Sequence, residues 1–427
     1  MRSTTERDVP VEAAIRTAEA EFARAGLVPE IVVEGPAEYA VTRCLLRDSG
    51  GEVVAVSAGK GAGDQSRASA LFEAWEHYWQ PRSWGFLRDE KARVSVLGME
   101  ELLGQDALKQ EAVLHRLGSD HPTASLTCLR FDALSGGAPL QYPAFMRYKE
   151  VHADPVTRGD VSYASYLRYG SNNGSAAGMS VAEACLHALL ETIERDAVSL
   201  ALLDWYGKGR SSVAVVDPER LPPDLRRLHA LVGEEIGCAP VLVDITTDIG
   251  VPVYIALPSQ PTFPGSHGAG AALNAGYAAE RALTELLQVE VNMEPMRPYE
   301  DPYARISSMR PWPRLMRIAR LDPRDVLRHE RSGVVQGPES WKVLYHDPRS
   351  QLAEVLRRVN ASGYRAFVLR ANPGDQTIPV VSVVVPGLEA FMLNLAGNPV
   401  LPTGRGAARF LRNREPQPAV VPGSGDS

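Results

Sequence analysis

The run from Val181 to Trp205 constrains this chain most, because it reads as a buried helix that still carries three glutamates. Most of its positions are apolar, among them Ala184, Cys185, Leu186, Leu189, Leu190, Ile193, Val198, Leu200 and Leu203. A helix apolar on nearly every side is expected to be buried. At about 100° per residue, Glu183, His187, Glu191 and Glu194 project within an arc of roughly 80°, with Arg195 at its edge. The carboxylates of such a helix are expected to be buried with it, or to line a cavity.

Two more stretches repeat the pattern. A helix is expected from about Gln65 to Tyr78, after the loop Gly59-Lys60-Gly61-Ala62-Gly63. Ser69, Glu73 and Glu76 stand on it at i, i+4 and i+7, interleaved with Leu71, Phe72, Trp75 and Tyr78. A third helix is expected from about Gly276 to Glu290, with Arg281, Glu285 and Gln288 at the same spacing among Ala278, Leu283, Leu286 and Leu287. The preceding Gly265–Gly270 stretch reads as a loop that brings backbone amides toward an anion.

A glutamate stripe on one helix is ordinarily a solvated face or an ion-pair ladder. That explanation fails for three helices this apolar. Several uncompensated carboxylates in one low-dielectric place cost many kcal/mol or take up protons. A cation resolves the conflict. Magnesium accepts hard oxygen ligands and bridges phosphate oxygens, and Lys60, Arg195 and Arg281 supply charge for phosphates. The residues therefore describe a nucleotide–magnesium site. GKGAGDQS lacks the GxxxxGK[ST] spacing, which disfavours a P-loop NTPase.

Around these helices the chain alternates strand-like and helical runs. A helix is expected over 11–26, a hairpin over Tyr39–Leu46 and Val53–Ser57, and a helical, polar stretch over 95–118. Strands are expected at Leu126–Phe131, Tyr142–Arg147, Val241–Ile245, Val251–Leu257, Ala366–Arg370 and Val380–Val385, and a helix at Leu352–Ser362. Residues 296–350, rich in Pro and Arg, read as a surface insertion. The division expected is 1–58 as an N-terminal helix-and-strand region contacting substrate or partner, 59–414 as the catalytic domain, and 415–427 as a flexible Pro/Gly-rich tail. The net charge of −7 argues against a broad grip on nucleic acid. The four cysteines form no CxxC pair. The N-terminus lacks an apolar signal core, and no uncharged apolar run is long enough for a bilayer. A cytoplasmic protein, apart from the membrane, is the expectation.

At these residues the chain resembles the YcaO superfamily, over about Gly59 to Leu411. GKGAGDQSRASALFEAWEHY is similar to the family's SxxxExxER element, giving Ser69, Glu73 and Glu76, with His77 where the family usually has Arg. SNNGSAAGMSVAEACLHALLETIERDA resembles SNGxAAGNTxxEAxxxALxExIERDA, and Glu183, Glu191, Glu194 and Arg195 match its ATP- and magnesium-binding residues. Met179 replaces a usual Asn, and His187 stands where Gln is common. GAGAALNAGYAAERALTELLQ is similar to the RAxxExxQ element and carries Arg281, Glu285 and Gln288.

The resemblance implies a mixed α/β (α+β) fold whose buried helices line an ATP and Mg2+ site. It implies Glu73, Glu76, Glu183, Glu191, Glu194 and Glu285 as metal ligands, and Lys60, Ser69, His187, Arg195, Arg281 and Gln288 as nucleotide-binding residues. It leaves the catalytic base unassigned. It implies ATP-dependent O-phosphorylation of backbone amides in a ribosomally made precursor peptide. Cyclodehydration of Cys, Ser or Thr to azolines is the first expectation. Thioamide formation with a TfuA-like partner and a sulfide source, or macroamidine formation, are the alternatives. The partners implied are the precursor peptide and either a leader-binding E1-like protein with a dehydrogenase or a TfuA-like protein. A homodimer is the oligomer it suggests. The tail Pro416-x-Pro418 is a partial match to the PxPxP end of azoline formers. A non-catalytic nucleotide-binding scaffold is the competing class, and His77 and Met179 weigh toward it. No HExxH or GxSxG is present.

Overall fold

Short β-branched runs and longer Ala/Leu-rich stretches separate this chain into sheets and the helices that cover them. The structure is a computed structural model and describes residues 6–90, 92–154, 157, 163–207, 212–293, 301, 303–329 and 347–407.

The first unit is α1 (Val11–Arg24), β1 (Val28–Glu34), β2 (Val41–Arg47), β3 (Val53–Gly59) and α2 (Asp64–Asp89). Next come β4 (Val94–Gly98), α3 (Met99–Leu103), α4 (Ala112–Asp120), β5 (Ser125–Ala133), β6 (Leu140–Pro143) and β7 (Ser175–Ala177). The central helix α5 spans Val181–Tyr206. Then follow β8 (Ala214–Val215), α6 (Pro223–Ile236), β9 (Pro240–Asp244), β10 (Val253–Pro258), β11 (Gly268–Ala271) and α7 (Ala275–Met293). The last elements are α8 (Pro313–Arg320), α9 (Pro323–Leu327), α10 (Pro348–Ala361), β12 (Phe367–Arg370) and β13 (Val380–Val384).

Three sheets result: β1-β2-β3, β11-β10-β9-β8, and β4-β5-β12-β13-β7 with β6 paired to β5. Every described pair is antiparallel. The mixed α/β expectation holds. Helix α5 packs Leu186, Leu189, Leu190 and Ile193 against Val355 and Val359 of α10 and Val381 and Val383 of β13. One turn on, Val198, Leu200 and Leu202 join Ile255, Leu257, Phe391 and Leu395. Its N-cap is Ser180, whose Oγ accepts from the Glu183 N–H at 3.1 Å.

Glycine sets how closely the other two helices approach their strands. A Cβ on Gly59 would lie 2.0 Å from the Ser66 carbonyl oxygen of α2. One on Gly268 would lie 2.2 Å from the Ala282 oxygen and the Leu286 nitrogen of α7. Helices α2 and α7 therefore sit directly on β3 and β11, a separation only glycine allows.

Several local expectations need correction. Gly268–Ala271 is a strand, so Gly268 and Gly270 serve helix packing and are not part of an amide-presenting loop. Residues 95–98, expected to be helical, belong to β4 (Val94–Gly98), because Val94 and Val96 pair with Leu129 and Thr127 of β5. The strand expected over Tyr142–Arg147 stops at Pro143 and gives way to a 3-10 turn over Ala144–Met146. Helix α2 runs past Pro81 to Asp89, because Trp84 and Leu87 are buried with Leu117 and Leu126. The described part of the 296–350 insertion is not simply superficial: Ile306, Met309, Leu321 and Val326 are buried. Helix α6 and strand β8 had no sequence expectation. Residues 408–427, including Pro416 and Pro418, lie outside the described residues.

Candidate nucleotide and magnesium site

Helices α2, α5 and α7 bring their polar stripes to one cleft. Lys60, just past β3, donates through Nζ to the Glu285 carboxylate of α7. Gln288, one turn on, donates through Nε2 to the Ala58 carbonyl. These two bonds fasten the end of β3 to α7. On α5, Arg195 holds Glu191 through Nη2 at 3.4 Å and Glu194 through Nη1 at 3.6 Å. On α2, Glu73 faces His77 Nε2 at 3.8 Å, and Ser69, one turn before it, is half-buried.

The electrostatics show that the three stripes share one space. Burial raises the Glu73 pKa, His77 and Lys60 oppose that rise, and Glu285 and Glu191 add to it. The Glu73 side chain keeps 39% of its surface open; it stands in a cleft that solvent enters while protein crowds its other sides. Burial raises Glu76 well above the usual carboxylate range, with Glu191 and Glu73 adding to the rise. Burial raises Glu194 against the pull of Arg195, with Glu285 opposing Arg195. For Glu285 burial also acts upward, but Lys60 and Arg195 outweigh it and hold the group down to about 2. Arg281 feels both Glu194 and Glu285. Carboxylates on three helices thus perturb one another's protonation, which requires proximity in a poorly hydrated place.

Glu183 and His187 of α5 face a different neighbour, the N-terminal arm. The Asp8 N–H donates to Glu183 Oε2 at 2.9 Å, and Arg7 Nη1 lies 3.6 Å from Glu183 Oε1. His187 Nδ1 lies 3.7 Å from Glu6 Oε2. Burial, Arg281 and Arg7 push His187 down to about 3, so its imidazole is neutral. Burial pushes Glu6 up to about 7, against Arg281 and Arg7. Arg281 therefore joins this half of the cleft to the Glu194–Glu285 half.

Sequence reasoning missed four groups: Glu6, Arg7, His267 and Arg147. His267 sits before α7, where burial lowers its pKa within reach of Glu285 and Arg195. Arg147 is a half-buried cation facing Glu191 and Glu76. A lone arginine in the apolar run YPAFMRY was the available signal for Arg147. The arm had none.

The donor set fits a magnesium-bound nucleotide. Among the described residues no three His, Cys, Asp or Glu side chains already cage a cation. Magnesium is ordinarily held through one or two carboxylates, with water and phosphate oxygens completing its shell, so these glutamates would serve more than one ion. Two buried guanidinium nitrogens there have no hydrogen-bond partner, Arg195 Nε and Arg281 Nε. Buried donors of this kind are what an anionic ligand would satisfy.

Such a cleft defines an ATP-dependent enzyme with an α/β fold and no P-loop. The chain belongs to the YcaO family, described as YcaO cyclodehydratase, ATP- and Mg2+-binding, whose profile matches residues 58–389. It is 28% identical over 349 residues to an uncharacterized protein of Methanothermobacter thermautotrophicus, covering 80% of this chain and 83% of that one. It is 27% identical over 235 residues to a protein in the tfuA 3' region of Rhizobium leguminosarum bv. trifolii, covering 51% of this chain and 52% of that one. Among solved structures, YcaO from Methanopyrus kandleri bound with AMPPCP and Mg2+ superposes with a TM-score of 0.63 at 20% identity, covering 93% and 96% of the two chains. A heterocyclase in complex with substrate and cofactor gives 0.64 at 18% identity, covering 90% of this chain. The chain spans about half, 53%, of that heterocyclase's length. Among the described residues no helix is long and apolar enough to cross a membrane.

Proposed function

We propose that this chain activates backbone amides of a ribosomally made precursor peptide by ATP-dependent O-phosphorylation. The observation that carries the reading is that Glu73, Glu76, Glu194 and Glu285 are shifted by burial and by one another's charges, with Glu191, Lys60, Arg195 and Arg281 among the charges that act on them. Glu73, Glu76, Glu191, Glu194 and Glu285 would hold magnesium, with Glu183 at the rim beside the arm. Lys60, Ser69, His187, Arg195, Arg281 and Gln288 would hold the nucleotide. Magnesium when bound supplies Lewis-acid neutralisation of phosphate charge. The chain's own work is positioning and charge complementarity. An amide oxygen is a poor leaving group, and its phosphorylation after a nucleophile adds to the carbonyl carbon makes it a good one.

Cyclodehydration of Cys, Ser or Thr to azolines is the product placed first, supported by the fold likeness to a heterocyclase. The relative named for the tfuA 3' region favours a second product, a thioamide made with a TfuA-like partner. The test is incubation with ATP, Mg2+ and the precursor peptide encoded beside the gene, read by mass spectrometry. Loss of one water supports the azoline, and exchange of oxygen for sulfur on adding sulfide and the partner supports the thioamide. Nucleotide binding with no peptide-dependent turnover would leave the non-catalytic scaffold standing instead.

A further inference from the structure

Arg147 lies just beyond the 3-10 turn that follows β6, in none of the three motif helices. Its Nε donates to Ser382 Oγ at 2.9 Å, its Nη1 to the Asn173 carbonyl at 2.5 Å, and its Nη2 to the Asn172 carbonyl at 3.4 Å and Ser175 Oγ at 3.3 Å. All four acceptors are neutral, so none of them cancels the positive charge. After burial, the groups that act on that charge are Tyr148 and Tyr142, and then the carboxylates Glu191 and Glu76.

The carbonyls that Arg147 holds belong to the loop before β7, and that loop touches Glu191. The Gly174 N–H donates to Glu191 Oε2 at 3.2 Å, while its carbonyl accepts from the Val383 N–H at 2.7 Å. Gly174 has φ +80°, and a Cβ there would lie 2.5 Å from the Val383 oxygen and 2.6 Å from Thr192 Oγ1. The loop is thus pinned by β13, by α5 and by Arg147, and its Gly174 amide aims a glutamate.

We propose that Arg147 is the positioning residue for the Glu191 side of the site: it fixes residues 172–175, whose Gly174 amide orients Glu191, and its uncancelled charge stands beside that carboxylate. This rests on the nucleotide–magnesium reading above. Planar multi-point donation to carbonyls is what arginine does and lysine cannot, and partners that orient a ligand typically govern metal affinity.

The test uses the full chain, titrated calorimetrically with Mg2+ in the presence of AMPPCP, alongside the Mg2+ dependence of ATP turnover. Arg147→Gln is expected to weaken Mg2+ binding about tenfold or more and to raise the Mg2+ needed for half-maximal turnover in step, with kcat at saturating Mg2+ largely kept. Arg147→Lys, which keeps charge but not the fork, is expected to lie between wild type and Arg147→Gln. Equal Mg2+ affinity in wild type and Arg147→Gln overturns the proposal, as does a lysine variant no better than glutamine. Should Arg147→Gln fail to fold, the Ser175→Ala, Ser382→Ala double variant loosens the guanidinium without removing its charge. It is expected to weaken Mg2+ binding by a smaller factor, and unchanged affinity overturns the proposal. A wild-type chain that binds no Mg2+ with AMPPCP refutes the site reading itself, a separately visible outcome.

Discussion

Lys60 and Glu285 are bonded to each other across 225 residues of sequence, with both side chains only 18% open. Burial pushes the Glu285 pKa up, and the lysine beside it, with Arg195, outweighs that push and keeps the carboxylate charged. Replacing Lys60 with Met leaves a mostly enclosed anion with Arg195 as its remaining close counter-charge. Breaking one side of such a pair destabilises strongly, and with the residual exposure a loss of about 2 kcal/mol is expected. Glu285→Gln in the Lys60→Met background should recover most of that loss. Urea denaturation of the four species of this double-mutant cycle measures the coupling, and additive effects would mean the pair is not formed in solution.

Gly268→Ala tests how α7 is seated. The added methyl would meet the Ala282 oxygen and the Leu286 nitrogen at 2.2 Å, both backbone atoms that cannot rotate away. Overpacking of this kind is expected to cost at least about 2 kcal/mol. Because Arg281 and Glu285 ride on α7, nucleotide affinity should fall with stability. Gly26→Ala is the control, since its Cβ would meet nothing within 4 Å although its φ is +70°. It should lower stability modestly and leave nucleotide affinity intact.

The three helices were legible because helical phase and hydrophobicity conflict in them. Glu191 and Glu194 are polar on a helix otherwise built for a core, and only a site resolves that conflict. Burial of the apolar strands was equally legible: Val253, Ile255 and Leu257 of β10 are fully buried. What stayed hidden depends on contacts distant in sequence. Glu6 and Arg7 look like an ordinary charged terminus, and only the fold lays them against Glu183 and His187. Strand β11 reads GAGA, with no side chain to announce a strand, because its glycines answer to α7 rather than to local propensity. The helix expected to end near Tyr78 continues through Pro81, because Trp84 and Leu87 pack beyond it.

Glu194→Gln separates function from stability. Glu194 is 2% exposed and raised in pKa by burial, so it serves the free protein poorly. Loss of a group that contacts the reacting centre's charge is expected to cut ATP turnover about 100-fold or more. Melting temperature should stay level or rise, since a carboxylate disfavoured by burial is gone while Arg195 keeps Glu191 as its partner. In wild type, Mg2+ with AMPPCP at about 100 times its Kd should stabilise the fold by about 2.7 kcal/mol. Differential scanning calorimetry reads both effects, and an equal ligand-induced shift in Glu194→Gln would remove this residue from the site.

Glu389 offers a test of burial. It is 3% exposed and accepts from the N–H groups of Ala390 at 3.0 Å and Thr403 at 2.9 Å, and from Thr403 Oγ1 at 3.1 Å. Burial outweighs these bonds and, with Asp196 adding to the rise, pushes the carboxyl up to about 8. A folded pKa raised above its unfolded value contributes stability that is fully present below about 4.5 and is lost as pH climbs toward about 8. Glu111 and Glu6, both raised to about 7 by burial, slope the same way. Glu389→Gln therefore removes one share of the alkaline decline, not all of it. The stability difference between variant and wild type, from chemical denaturation at a series of pH values, should grow in the variant's favour from about 4.5 to about 8. A difference that stays constant over that window would mean Glu389 titrates as it does in the unfolded chain. The enclosure of that carboxyl by the Thr403 turn would then be wrong.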